Sequence, residues 1–181
     1  ITTQLYKAIE EASNLTEVQN VVDTAFKDMS DQVETFAKNA TESFGLSELS
    51  AKKYAGQLKS ISNAMGIANE EGTEMSLTLT GLSGDLASFY NTSSDEAFTA
   101  LKGVYTGETE ALKKYGIAMT TANLETYALS QGITKSYDAM SQAEKITLRY
   151  NYILSVTTDQ QGDFAKTADS YSNQLRILKQ N

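Results

Sequence analysis

The sequence predicts an all-α fold, and three observations carry that prediction. Proline is absent from all 181 residues, which removes the strongest helix breaker. Apolar residues recur at steps of three and four through most of the chain, and β-branched runs stay short, the pattern of amphipathic helices. Helix punctuation fits the same reading: Ser or Thr stands before the apolar runs and Gly after them, where caps belong. The predicted architecture is a cluster of short helices flanked by longer amphipathic ones, in a single helical domain over residues 1–181. Within it, 15–90 reads as a long-helix part, 91–140 as a short-helix core and 141–181 as a helical exit segment.

In chain order, residues 2–12 read as a short helix with Leu5, Ala8, Ile9 and Ala12 on one face. Ser13 and Asn14 are expected to stop it, and Thr16 to cap the longest helix. Val18, Val22, Ala25, Phe26, Met29, Val33, Phe36, Ala40 and Phe44 then form a stripe up to Gly45. Its steps average about 3.6, which predicts a nearly straight helix in a globule. At roughly 1.5 Å per residue that helix would be about 42 Å long. Ser30-Asp31 is the expected place for any interruption. Gly45 suits a C-terminal cap, and Ser47 caps a helix carrying Ala51, Tyr54, Leu58, Ile61 and Met65 to Gly66.

Ile67–Thr73 reads as a polar turn centred on NEEGT. A further helix shows Met75, Leu79, Leu82, Leu86 and Phe89 at four-three spacing. Gly81 and Gly84 inside it cost about 1 kcal/mol each relative to Ala, so close approach of a neighbouring helix is expected there. From Asn91 the elements shorten. Ala97, Phe98, Leu101 and Tyr105 mark one helix, Glu108–Tyr115 another closed by Gly116, and Leu124, Tyr127 and Ala128 a third ended by Gly132. Ile117–Thr120 reads as extended and Lys135–Ala139 as a single turn. GLSELSAKKY at Gly45–Tyr54 echoes GLSGDLASFY at Gly81–Tyr90, 36 residues on with half the positions matching. Two copies without a third make coincidence the better reading than a solenoid.

The last 41 residues, Ser141–Asn181, spell two helices. Ser141 with Glu144 three residues on is a capping-box pattern, and Ala143, Ile146, Tyr150, Ile153 and Leu154 follow on one face. Thr157, Thr158, Asp159 and Gly162 supply a break. Phe164, Ala168, Tyr171, Leu175 and Leu178 then alternate four and three, the seam spacing of a coiled coil. They are the candidate self-association seam. No Gly or Pro stops this helix and no Met opens the chain, so a piece of a longer protein is expected, with the last helix leading into a coiled coil.

Composition narrows the chemistry. Cysteine and histidine are absent, so thiolate metal sites, disulfides and His-based acid–base catalysis are excluded. The formal net charge is −8, which disfavours nucleic acid and anionic membrane surfaces as partners. No apolar run reaches membrane-spanning length. Gly103–Gly107 outlines a glycine loop but lacks the Gly-Lys-Ser/Thr of a phosphate loop. Thr157–Phe164 lacks the ligand pattern of a calcium loop. The acid pairs Glu10-Glu11, Glu70-Glu71 and Asp95-Glu96 are adjacent, in polar surroundings, and nothing sets one pKa against the other. A Ser or Thr nucleophile would have no His partner. No catalytic residue, cofactor or metal is therefore predicted. Most tyrosines fall on apolar stripes, as core residues, while Tyr90-Asn91 and Tyr150-Asn151-Tyr152 are candidate buried polar networks.

Three runs carry a family resemblance: LRYNYILSVTTDQQGDFAKTADSYSNQLRILKQN at Leu148–Asn181, GDLASFYNTSSDEAFTALKGVYTGETEALKKYGIAM at Gly84–Met119, and NLETYALSQGITKSYDAMSQAEK at Asn123–Lys145. Together they resemble the conserved N-terminal region of tail tape measure proteins of long-tailed bacteriophages and prophages. The likeness extends, more weakly, back to Leu15. It implies a structural, non-enzymatic protein that sets tail length during virion assembly, occupies the tail tube lumen and has a role in genome delivery. The implied partners are other copies of itself, tail tube protein, tail assembly chaperones and tail tip or baseplate proteins. The implied location is the virion, after synthesis in the host cytoplasm from a prophage. The alternative is a non-catalytic acidic helical binding module of a bacterial surface or secretion system. A wall hydrolase is a third, lesser reading.

Overall fold

The computed structural model describes residues 2–180. Every regular element among them is helical, so the all-α prediction holds. Four longer helices come first: α1 (Thr2–Phe26), α2 (Ser30–Phe44), α3 (Glu48–Ala64) and α4 (Asn69–Phe89). Then follow α5 (Ser94–Leu101), α6 (Gly103–Thr106), a 3-10 segment (Glu110–Tyr115), α7 (Thr121–Ser130) and a 3-10 turn (Tyr137–Ala139). The chain closes with α8 (Gln142–Val156), α9 (Asp163–Lys166) and α10 (Tyr171–Gln180).

The first helix corrects two expectations. α1 runs through Ser13 and Asn14, whose side chains are exposed and compete with nothing buried. Thr16 does not cap; its hydroxyl donates to the Ala12 carbonyl at 3.0 Å, the back-bonding that lets Thr sit inside a helix. The true interruption precedes Ser30: Lys27 adopts φ 55° and opens a 3-10 turn to Met29. The Ala25 carbonyl in α1's last turn accepts from Asn63 Nδ2 of α3 at 2.9 Å, so α3 satisfies a helix end left short of partners.

Local capping elsewhere follows the sequence. Ser47 accepts from the Ser50 N–H at 3.0 Å. The capping box at α8 is complete, with Glu144 N–H to Ser141 at 3.2 Å and Ser141 N–H to Glu144 at 2.7 Å. The Lys135 ammonium, with that backbone N–H, holds the Glu144 carboxyl down to about 2. At the end of α4, Asn91 takes φ 52°. The Asn91 and Thr92 N–H groups bond the Ser88 and Ala87 carbonyls at 3.3 and 3.0 Å, a Schellman motif built on Asn instead of Gly.

α4 is the spine. It begins at Asn69, so the NEEGT stretch is helix, not turn, with Glu70 and Glu71 at its positive end. From Gly72 to Ala87 it is buried on nearly every side. Burial of its hydroxyls is made tolerable by bonds to its own backbone: Ser76 to Gly72, Thr80 to Ser76 and Ser83 to Thr80, at 2.6, 2.7 and 2.6 Å. Phe89, expected on the buried stripe, is 46% exposed, while Tyr90 turns inward against Tyr115, ring centres 5.6 Å apart.

The core is not confined to 91–140. One large cluster draws on Ala37, Leu58, Leu79, Leu86, Leu101, Tyr105 and Ile153 alike, and a smaller one joins Val22, Phe26, Val33 and Ala55. The decapeptide echo is not a structural repeat, for its first copy is a helix cap and helix start and its second lies within α4.

Gly81 and Gly84 do mark a close approach. A side chain on Gly81 would meet the Phe44 ring at 2.8 Å, and one on Gly84 would overlap the Phe44 carbonyl oxygen, which is fixed backbone. Gly84→Ala should therefore destabilise the fold by about 2–3 kcal/mol despite its better helix propensity. Urea denaturation checks this; a neutral or stabilising Ala would contradict the packing.

Candidate functional site

The candidate seam falls into three places. Phe164, on α9, is fully buried, and its ring occupies the space that a side chain on Gly45 would need. Ala168 lies in the turn after α9 and is half-buried. Tyr171, Leu175 and Leu178 lie on α10 and are 83%, 38% and 70% exposed. One continuous helical face was expected; the turn at residues 167–170 divides it. α10 meets the body through Asn173 and Arg176, while Leu178 looks outward and Leu175 lines a cleft with residues 91–95.

Long-range side-chain caps cause this arrangement. Asp85 of α4 is buried and accepts the Gly162 and Phe164 N–H groups at 2.8 and 3.1 Å, which closes the start of α9. Burial pushes the Asp85 carboxyl above its usual range, against the pull of those two N–H groups. Ser88 donates to Asp163 at 2.7 Å and accepts from Asn173 Nδ2 at 2.8 Å. Arg176 donates to the Ala87 and Thr92 carbonyls at 3.0 and 2.9 Å, a cation at the negative end of α4. Arg149 plays the same part on α6, with Nε to Val104 O at 2.7 Å and Nη2 to Tyr105 O at 3.2 Å. Sequence reading assigned no role to Asp85, Arg149 or Arg176. Their signal was faint: an acid beside Gly84 inside an apolar helix, and arginines one step off apolar stripes.

Lys59 is the other buried charge. It is wholly inaccessible, lies 5.9 Å over the Phe26 ring and donates to Asn63 Oδ1 at 2.5 Å. Burial, with the charge of Lys27, lowers its pKa. The Ser62 hydroxyl nearby is buried without a partner.

The acid pairs are not assembled into a site. Glu10 and Glu11 lie on exposed α1. Glu71 accepts from Thr147 at 2.8 Å, Asp95 accepts the Tyr54 hydroxyl, and Glu96 pairs with Lys114 at 2.6 Å. Gly103–Thr106 is one helical turn closed by Gly107. Tyr54, Tyr105, Tyr115 and Tyr150 are buried as expected, and Tyr171 is not. The candidate amide networks do not form: Asn91 and Asn151 are exposed, and Tyr90 and Tyr152 pair with Gln160 and the Ala118 carbonyl at 3.1 and 2.9 Å. Among the described residues no cluster of acids is placed to hold a metal, and no helix is long and apolar enough to cross a membrane. The surface clefts include one of about 710 Å³ between α7 and α8, with Tyr127, Ile133, Met140 and Leu148 in its wall. Among the described residues the geometry offers exposed apolar faces on α1 and α10 and a set of long-range helix caps. No family model, curated protein or solved structure matches the chain.

Two outcomes test these buried charges. Asp85→Asn keeps one acceptor but turns an amide N–H₂ toward the second backbone N–H. It should cost about 1–3 kcal/mol and expose the 157–180 segment to limited proteolysis; an unchanged urea midpoint and digest would contradict the cap. Lys59→Met should raise stability at pH 7 by about 1–3 kcal/mol. The sign follows from the lowered folded-state pKa: charged Lys59 penalises the fold below that pKa, and the penalty lifts as pH climbs toward the ordinary 10.5. The stability gap between variant and native chain should therefore narrow over that range. A gap that is constant or widens would sink this account.

Proposed function

We propose that the chain is part of a phage tail tape measure protein, a structural component that sets tail length during assembly and occupies the tail tube lumen. The observation that carries the reading is the resemblance of the run from Gly84 to Asn181 to the conserved N-terminal region of that family. An all-helical scaffold among the described residues is compatible with it. On this reading the segment is a folded head on a helical ruler, non-enzymatic, with a role in genome delivery. Its partners are other copies of itself, tail tube protein, assembly chaperones and the tail tip or baseplate.

A helix rises about 1.5 Å per residue, so tube subunits that polymerise around a helical molecule stop where it ends. Inserting or deleting whole helical turns downstream of this segment in the intact phage should change tail length in proportion, by about 1.5 Å per residue. Electron micrographs showing tails of constant length would overturn the reading. A non-catalytic acidic module of a bacterial surface or secretion system is the second reading, favoured by the net charge of −8 and by the outward apolar faces of α1 and α10. Neighbouring genes separate the two: tail-tube and baseplate genes support the first, a secretion or adhesion operon the second.

A further inference from the structure

The joint between α1 and α2 sets the local sequence against the fold. Lys27 holds φ 55° there, a left-handed conformation that a residue with a Cβ resists. Asn91 shares that conformation, but Asn tolerates it and closes a helix with it. The joint itself, Lys27–Met29, contains no Gly or Pro. Nor does the apolar stripe lose its phase across it: Val22, Phe26, Met29 and Val33 step by four, three and four. Local preference is for one unbroken helix from α1 into α2, and tertiary packing bends it. Such a conflict marks a place where two arrangements of the same chain compete.

The bend is imposed by α3, against which α1 chiefly packs. Residues 3–17 of α1 are an exposed overhang; its last turns make the contact. Val21 lies against Gly56, where a side-chain Cβ would stand 3.8 Å from that of Val21. Gln19 accepts from Lys52 at 3.3 Å, and the Ala25 carbonyl accepts from Asn63 at 2.9 Å. Val22 and Phe26 share a buried cluster with Ala55 of α3. The joint adds little of its own. Lys27 and Asp28 are exposed. Its side chains meet α4 in two places, Asp28 with Asn69 and Met29 with Thr73, each at 3.2 Å. Thus α1 is an arm with a well-made seat and a strained elbow.

We propose that two copies of this chain exchange α1: the elbow straightens, α1 and α2 join into one helix, and α1 takes its seat on α3 of the other copy. The match in shape and charge is the one already present within a single chain, since the same side chains meet between copies. Straightening returns Lys27 to the right-handed region. It also gives the Ala25 carbonyl the Met29 N–H four residues on, in place of the bond from Asn63. Strained hinges invite such an exchange, and trading an identical element closes at two copies around a twofold axis. This inference does not depend on the tail reading.

A pair of cysteines in the 181-residue chain, which has none of its own, reads the exchange directly. In Val21→Cys/Gly56→Cys the Cβ separation of 3.8 Å suits a disulfide. That bond joins α1 to α3 in either arrangement, and a non-reducing gel tells whether it runs within a chain or between two. Native chain and reduced variant are held at high concentration near the unfolding midpoint, cooled, and separated by gel filtration. Both should yield a dimer that persists on dilution, and oxidation should convert the variant's dimer into a covalent one. Lys27→Gly supplies the residue that the bent elbow favours and weakens the straight helix, so it should cut the dimer fraction about tenfold. A native chain that stays monomeric overturns the proposal. So does a dimer that oxidises into single chains, or Lys27→Gly dimerising as readily as the native chain. Should the cysteine variant fail to fold, zero-length crosslinking decides, on a native dimer made from isotopically labelled and unlabelled copies. Glu17 and Lys53 line one cleft between α1 and α3; a link between them across copies supports the exchange, and links confined to one copy refute it.

Discussion

One buried carboxylate governs how the chain from α9 onward sits on the rest. Asp85 projects from the most buried helix and accepts two backbone N–H groups, Gly162 and Phe164, from the start of a four-residue helix. A helix that short has almost no internal hydrogen bonds to stabilise it. Its start is set by the acceptor it meets. Phe164 then drops its ring against Gly45, and Gly45 ends the helix whose last residue, Phe44, is pressed against Gly81 and Gly84. Three segments distant in sequence thus meet where side chains have been reduced to hydrogen. Burying an aromatic ring such as Phe164 is worth about 1.5–3 kcal/mol, and the charge beside it has its ionised form satisfied by N–H donors.

The same logic recurs at other helix ends. Anions sit where N–H groups lack partners and cations where carbonyls do: Asp85 at α9, Arg149 at α6, Arg176 at α4. Each places a charge in partial burial, which is unfavourable in isolation and tolerable when the charge meets a helix terminus of opposite sign. Lys59 is the exception. It is buried with a neutral amide as its hydrogen-bond partner, and burial, together with the charge of Lys27, holds its pKa below the ordinary lysine value.

What the sequence displayed plainly was local. The Ser141–Glu144 box, the Ser47 cap and the end at Gly45 were legible because their partners lie within four residues. Gly81 and Gly84 announced a close approach, though not that Phe44 would make it. The break at Lys27 was legible only approximately: Ser30-Asp31 signalled it one residue late, and a side chain on another helix, Asn63, holds the freed carbonyl. Ser13 and Asn14 misled in the opposite sense, since exposed polar residues cost a helix only a few tenths of a kcal/mol each. The seam misled most. Phe164 through Leu178 keeps strict four-three spacing, yet the turn between Phe164 and Tyr171 resets the helical register. The groups that cause it, Asp85 and Ser88, are more than 70 residues away, beyond the reach of any periodicity.

The account centres on the claim that Asp85 locks the start of α9, and amide hydrogen exchange at two positions reads that lock directly. If it is right, the Gly162 and Phe164 amides exchange as slowly as those of the buried middle of α4, through global unfolding. Exchange of these two amides at the rate of the exposed α1 overhang, with α4 still protected, would contradict it.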